Sequence, residues 1–320
     1  MDSPLMSTPS SPHHGPIVIV GQGAIALLAA SQCALAGYPC YLQGRAAASQ
    51  TAMPLDFRRG QQNFPLLLSL RPAHVSKVAV LLVCVKAYDA VAACRQWLPL
   101  LADDGCLVLC HNGMGTADAV TAMLGKSQQL WLASTTHGAL KTGPHRLVHT
   151  GLGATMLGPA NLAAKQAFAT PAATLIDAMQ AALAPVTLTP NIAELLWQKL
   201  LVNLVINPLT ALHQCRNGEL LAAEFQPRVA ALINEAVQVA TVQGIAIEQA
   251  QASALVRQVM QRTAENYSSM QQDVAMHRRT ELAAITGFLL KCAKVQQLAV
   301  PTHQQLYDEL TARLEPWQYQ

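Results

Sequence analysis

Lys199, Asn203 and Asn207 stand at i, i+4 and i+8 within Leu196–Leu212, a mostly apolar stretch of helical character. On a helix that spacing stacks the three side chains in one stripe. An ammonium and two amides are costly to bury among apolar neighbours unless something polar sits against them. A small substrate bearing a carbonyl, a hydroxyl and a carboxylate would meet that need. Pro208 follows directly, cannot donate a helical hydrogen bond and biases Asn207 away from helical geometry. Either a kink there aims Asn207 into a cleft, or the helix ends.

A second constellation lies near the start of the chain. Gly21-Gln22-Gly23-Ala24-Ile25-Ala26 is a G-x-G-x-x-A loop between a β-branched run and an Ala/Leu-rich helix. The first Gly permits a tight turn, the second a close approach of backbone to a pyrophosphate, and the last small residue close helix–strand packing. The helix N-terminus would then offer free N–H groups to phosphates. An NAD-binding unit usually carries an acid about 20 residues further on. Here Leu42-Gln43-Gly44-Arg45 ends the second strand, and the next acid is Asp56. A planar, permanently charged guanidinium suits a 2′-phosphate, so the pattern favours NADP(H).

Lys86 and Asn112 follow apolar runs ending at Val85 and Cys110, where open α/β sheets bind ligands. Asn112 could meet both nicotinamide and substrate. His137, after Thr135-Thr136, reads as a structural hydrogen bonder. Asn266 and Ser269 are three apart, with Glu281 further along the same polar series. A lone acid on a helix reads as solvated.

The elements that must position these groups fall into two sets. Pro16–Val20, Cys40–Gln43, Val78–Val85, Cys106–Cys110 and Leu130–Ser134 read as strands with helices between. Continuous apolar runs of this kind belong to parallel strands covered on both faces. Gly143–Leu157 reads as antiparallel additions to that sheet, followed by a helix over Leu162–Leu183 and a strand at Val186–Thr189. Arg45–His74 reads as irregular. Beyond Pro190 only helices are predicted: Ala193–Leu212, Gln226–Gln243, Glu248–Glu265, Asp273–Val295 and Gln304–Leu314. The expected architecture is α/β: a Rossmann-like doubly wound sheet domain over 16–190, then an all-helical substrate domain over 191–320. Residues 1–15 read as a flexible leader.

Composition narrows the function. The chain has 320 residues and a net charge of +3, with no run of Lys and Arg. That argues against nucleic acid as a partner. Charged residues are 12% of the chain, against roughly 25% in ordinary soluble domains. No uninterrupted apolar stretch reaches the roughly 18 residues of a membrane span, so no membrane partner is expected. The eight cysteines show no CxxC pair and no zinc spacing. They read as reduced, buried thiols of a cytoplasmic protein, and no metal is expected.

Taken together, the segments GQGAIA, Val85-Lys86-Ala87, HNGMGT, STTHGA, LWQKLLVNLVINPLTAL, NGEL, ENYSSMQQD and RRTEL followed by GFLL resemble the ketopantoate reductase (2-dehydropantoate 2-reductase) family. The likeness runs from Pro16 to Leu314. It implies a Rossmann domain joined to a helical domain in the 6-phosphogluconate-dehydrogenase-like arrangement, with substrate between them. It implies NADPH-dependent reduction of ketopantoate to (R)-pantoate, on the way to pantothenate and coenzyme A. Lys199 would be the general acid and Glu281 a second catalytic residue that also positions the cofactor. Asn112, Lys199, Asn203, Asn207 and Asn217 would hold the substrate's oxygens, and Asn266, Tyr267, Ser268 and Ser269 its carboxylate. Gly21 to Ala26, Arg45, Lys86, Asn112, Ala139 and Glu281 would meet the cofactor. The leader and Ala46–His74 depart from the family. Two alternatives remain open: an NADP-dependent reductase of another small 2-keto acid, and a non-catalytic NADP(H)-binding sensor. Monomer and homodimer are both open.

Overall fold

The computed structural model describes residues 15–45, 50–75 and 77–319. Apart from Gly15, the leader expected over 1–15 lies outside the described residues. The first half runs β1 (Ile17–Val20), α1 (Ala24–Leu35), β2 (Cys40–Gln43), β3 (Ala52–Arg59), β4 (Gln62–Ser69), β5 (Val78–Val83), α2 (Ala87–Trp97) and β6 (Leu101–Leu109). It continues with α3 (Ala117–Thr121), β7 (Gln129–Thr135), β8 (Gly138–Gly143), β9 (Arg146–Gly151), β10 (Thr155–Pro159), α4 (Leu162–Ala167), α5 (Ala173–Leu183) and β11 (Val186–Leu188).

Seven strands form one sheet in the order β11-β10-β7-β6-β5-β1-β2. Every neighbouring pair is parallel except β10 against β7. The apolar runs are explained by cover on both faces: α1 and α5 pack on one side, α2 and α3 on the other. The chain leaves β1 for β2 on one side and returns to β5 on the other. A crevice therefore opens at the carboxyl ends of β1 and β5, the switch point of the sheet.

Three expectations need correction in this half. The stretch expected to be irregular contains the hairpin β3–β4, closed by a two-residue turn with Gly60 at φ +58°. A positive φ at the first turn residue suits the twist of a hairpin. Leu55 and Phe57 point inward while Pro54, Asp56 and Arg58 point out, the period-two pattern of a half-buried strand. Second, β9 does not extend the main sheet: β4-β3-β9-β8 is a separate four-stranded sheet, whose Leu55, Phe57 and Leu147 join the core around α1. Third, the helix expected over Leu162–Leu183 is two helices. Pro171 lies in the break, and the residue before a proline is pushed out of helical geometry.

The second half is helical: α6 (Ile192–His213), a 3-10 turn at Asn217–Leu221, α7 (Gln226–Val242), α8 (Gln249–Arg262), α9 (Ser269–Ala275), α10 (Leu282–Val295), α11 (Pro301–Thr311) and α12 (Pro316–Tyr319). The core is built around α6, whose Leu200, Leu204 and Leu212 are at most 3% exposed. Burial of each is worth roughly 1.5–3 kcal/mol. Among the described residues α6 alone is long and apolar enough to cross a membrane, and 67% of that stretch is buried against its neighbours, as in a core helix. It does not end at Asn207 but continues through Pro208 to His213. The Thr210 hydroxyl donates to the Ile206 carbonyl at 2.7 Å just past the proline, and Gln214 closes the helix at φ +53°.

The single helix expected over Asp273–Val295 is also two, α9 and α10. The segment between them is held by α12: Thr280 donates its N–H and its hydroxyl to the Gln318 carbonyl, at 2.7 and 2.9 Å.

One buried charge serves the helical core. Glu235 of α7 accepts the N–H groups of Thr302 and His303 at 2.7 and 2.9 Å and the His303 ring N–H at 2.9 Å, capping α11. Burial opposes its ionisation, but the hydrogen bonds from His303 and Thr302 prevail and hold the carboxyl at about 2. A depressed folded-state value stabilises the fold above the ordinary 4.5 and loses that contribution as pH falls towards 2. Glu235→Ala is expected to cost about 3 kcal/mol in urea unfolding at neutral pH, the worth of that shift. The difference from the parent should vanish in melts near pH 2. An unchanged midpoint at neutral pH would refute the role.

Candidate active site

The loop after β1 closes directly on β5. Gly21 has φ +123°, and a Cβ there would lie 2.4 Å from the Cys84 carbonyl oxygen, so only glycine fits. Gly23 precedes α1 without a side-chain cap, leaving the first amides of that helix open to a ligand. Beside the loop is a cavity of about 1000 Å³ at the carboxyl ends of the central strands. Of the residues expected from sequence, Gly21, Gln22, Gly23, Ala24 and Ile25 line it, together with Arg45, Lys86, Asn112, Ala139, Ser269 and Glu281. Ala26 is fully buried beneath the loop, where a small side chain is required.

The helical half meets this cavity through α10. Gly113 at φ +81° would place a Cβ 2.8 Å from that of Ala284, and the Met114 N–H donates to the Ala284 carbonyl at 3.2 Å. The His111 ring N–H donates to the Asn112 carbonyl at 2.9 Å, and its other nitrogen pairs with the Thr116 hydroxyl at 2.9 Å. Burial pushes His111 below its ordinary value, so it holds the loop as a neutral ring.

Glu281 is not a solvated helical acid. It is 4% exposed, in the break before α10. Its carboxylate accepts the Ala87 N–H at 3.1 Å and pairs with Lys86 at 3.2 Å. Lys86 also pairs with Asp273 of α9 at 2.8 Å, and Asp273 in turn holds Arg278 at 3.0 Å. Burial works against the Lys86 charge, but Glu281 and Asp273 outweigh it and hold the ammonium above its ordinary value. The clasp thus joins a strand end of the sheet half to two carboxylates of the helical half. Asp273 was missed in the sequence because it was read as the start of an uninterrupted helix.

Lys199 is half-buried and does not line the cavity directly. Its Nζ donates to the Thr135 carbonyl at the end of β7, 2.9 Å away. Burial pushes the ammonium below its ordinary value, while Cys110 and Glu281, both cavity residues, pull the other way. Asn203 is half-buried and Asn207 is 6% exposed. Neither amide has a hydrogen-bond partner among the described residues, and neither is sealed off, so both can meet a ligand.

The remaining expected residues gather beyond the cavity lining. Asn217 donates its N–H to the Asn266 carbonyl at 3.0 Å and its amide to the Thr263 hydroxyl at 2.9 Å, leaving its Oδ1 buried without a partner among the described residues. Tyr267 is exposed beneath the Arg216 guanidinium. The Ser268 hydroxyl caps α9 by accepting from Gln271, and it bonds Thr210 of α6 at 2.7 Å. Other lining residues carried no sequence signal: Asp89, which holds Arg45 at 2.6 Å, and Cys84, Cys110 and Trp97. His137 also lines the cavity, with its ring between the Gly153 N–H and the Ala184 carbonyl.

A Rossmann-type sheet, a glycine loop at its switch point and an appended helical half define a two-part protein of the dinucleotide-binding class. Residues 17–161 match the family model described as ketopantoate reductase PanE/ApbA, and 191–314 the model for its C-terminal part. The chain belongs to the ketopantoate reductase family. It is 38% identical over 308 residues to the 2-dehydropantoate 2-reductase of Vibrio cholerae, covering 94% of this chain and 98% of that one. The 2-dehydropantoate 2-reductase of Salmonella typhimurium is 36% identical over 237 residues, 74% of this chain and 75% of its own. The crystal structure of panE from Bacillus subtilis superposes with a TM-score of 0.78 at 28% identity, over 93% of this chain and 99% of that one.

Proposed function

We propose that this chain is an NADPH-dependent 2-dehydropantoate 2-reductase of the cytoplasm, with residues 16–190 holding the cofactor and 191–320 supplying the substrate side. The observation that carries this reading is the Lys199–Asn203–Asn207 stripe. Glu281 and Cys110 of the cavity act on its ammonium, and its two amides have no partner among the described residues. The cofactor fits what the chain offers: a glycine that no Cβ could replace, an uncapped helix start and a cavity of about 1000 Å³ beside them. The amides of Gly21 to Ala26 would hold the pyrophosphate, Arg45 the 2′-phosphate, and Lys86, Asn112, Ala139 and Glu281 the nicotinamide end. The bound nicotinamide supplies a hydride to the ketone carbon. Lys199 would leave the Thr135 carbonyl for the substrate's carbonyl oxygen, stabilise the negative charge that builds there and give it a proton. Asn112, Asn203, Asn207 and Asn217 would orient the substrate's oxygens, and Asn266 to Ser269 would border its carboxylate.

The deciding experiment follows NADPH absorbance on adding ketopantoate, beside NADH and a panel of other 2-keto acids. Rapid NADPH loss confined to ketopantoate is the expected result. Turnover confined to another keto acid would replace the substrate, and tight NADPH binding without turnover on any of them would favour a sensor.

Arg45 and Asp89 together bear on the cofactor. A 2′-phosphate reaching Arg45 meets the Asp89 carboxylate already paired with it. Asp89→Asn is expected to raise the preference for NADPH over NADH about fivefold, the equivalent of about 1 kcal/mol for a partly exposed ion pair. The ratio of kcat/KM for the two cofactors reads this out, and an unchanged ratio would refute the competition.

A further inference from the structure

Cys84 and Cys110 stand one residue beyond the ends of β5 and β6. The register pairs Val83 with Leu109, so the two cysteines are the next partners along the same two strands. The Cys110 N–H donates to the Val83 carbonyl at 2.9 Å, keeping the pair together past the strand ends. Val80, Leu82 and Cys84 share one face of the sheet with Cys106, Val108 and Cys110, so both thiols point to the same side. Neighbouring strands run about 4.7–4.9 Å apart. That lies within the roughly 4.4–6.8 Å between Cα atoms that a disulfide spans. Both cysteines also line the cavity, at 5% and 6% exposure. Cys33 and Cys40 form a second neighbouring pair, but neither lines the cavity.

The two thiols differ in character. The hydrogen bond from Cys84 holds Cys110 below the ordinary thiol value against the effect of burial, with the Lys199 ammonium helping. The same contact, with burial, pushes Cys84 up. The Lys199 ammonium acts on Cys110 and not on Cys84, which gives Cys110 the nucleophile's part and Cys84 the resolving one.

We propose that Cys84 and Cys110 form an oxidation site in which a small peroxide entering the cavity converts the pair to a disulfide. The Cys110 thiolate attacks one oxygen of hydrogen peroxide; the O–O bond breaks and the departing hydroxide takes up a proton, leaving a sulfenic acid. Cys84 then attacks that sulfur as its own proton is lost, and the S–O bond breaks to release water. Two thiols and one peroxide give one disulfide and two waters, with two electrons passing from sulfur to oxygen. The Cys84 carbonyl packs against Gly21, so the cross-link sits directly behind the first turn of the glycine loop.

The cross-link itself is independent of the proposed cofactor; its protection by cofactor rests on that reading. The full-length protein is treated with hydrogen peroxide, with and without saturating NADP+, then denatured, alkylated, digested and weighed. A linked Cys84–Cys110 peptide is expected, lost on adding dithiothreitol and formed at least tenfold more slowly with NADP+ bound. The Cys84→Ser variant should give no link and should accumulate sulfenic or sulfinic acid at Cys110. Recovery of both cysteines as alkylated thiols, under peroxide that oxidises the half-buried Cys292, overturns the proposal. So does their appearance only in links to other cysteines. If NADP+ fails to bind, the proposed cofactor falls while the cross-link result stands, so the two failures are distinguishable.

Discussion

Lys199→Ala is expected to lower the turnover of ketopantoate by ~10²–10⁴-fold, the usual worth of a positioned general acid. NADPH affinity should stay within about twofold, because an interaction made only as charge builds on the substrate does not affect cofactor binding. The parent enzyme should also reveal the group through pH. A general acid works only while protonated, and burial holds this ammonium below its ordinary 10.5. Activity should therefore fall on the alkaline side through a value below 10.5, and that limb should be missing from the residual activity of the variant. Steady-state rates across pH, with a fluorescence titration of NADPH, read both effects. Parent-like turnover in a folded Lys199→Ala protein would remove the assignment.

Glu281→Ala is expected to strike both stability and chemistry. It removes a partner of Lys86 and the acceptor of the Ala87 N–H together. Breaking a buried pair costs about 3–5 kcal/mol. The Lys86 side chain is 37% exposed and keeps Asp273, so the expected loss is smaller, about 2 kcal/mol in urea unfolding. Glu281 also supports the Lys199 charge, so without it the alkaline limb should move to lower pH. Glu281→Gln separates the two effects. The amide can still accept from Ala87, so stability should largely return, while the limb stays shifted because the charge is gone. Unfolding midpoints and pH profiles that match the parent in both variants would refute the coupling.

What could be read from the residues followed from how locally each feature is determined. The central strands were legible because cover on both faces leaves continuous apolar runs. The glycine loop was legible because its spacing is fixed by one turn of backbone. β3 and β4 were not, because each contains a proline, which ordinarily argues against a strand. The structure supplies the exceptions. Pro54 lies before the β9 pairing begins at Asp56, and Pro65 lies on the edge strand β4. The break between α9 and α10 depends on Gln318, 38 residues from Thr280, and nothing local announces it. Lys199, Lys86 and Asn112 were legible as polar groups at element ends or on an apolar face. Asp273 needed the pairing of the two halves to acquire a role, and the Cys84–Cys110 pair needed the register of β5 against β6.

The clasp also gives the molecule a built-in reporter. Ala87 opens α2, and the first amides of a helix have no intrahelical acceptor and normally exchange freely with solvent. Here that amide is donated across the cleft to a carboxylate of the other half. Its hydrogen-exchange rate therefore follows the separation of the two halves rather than the fraying of its own helix. One backbone proton records how often the cleft opens, and any ligand that draws the halves together should slow its exchange.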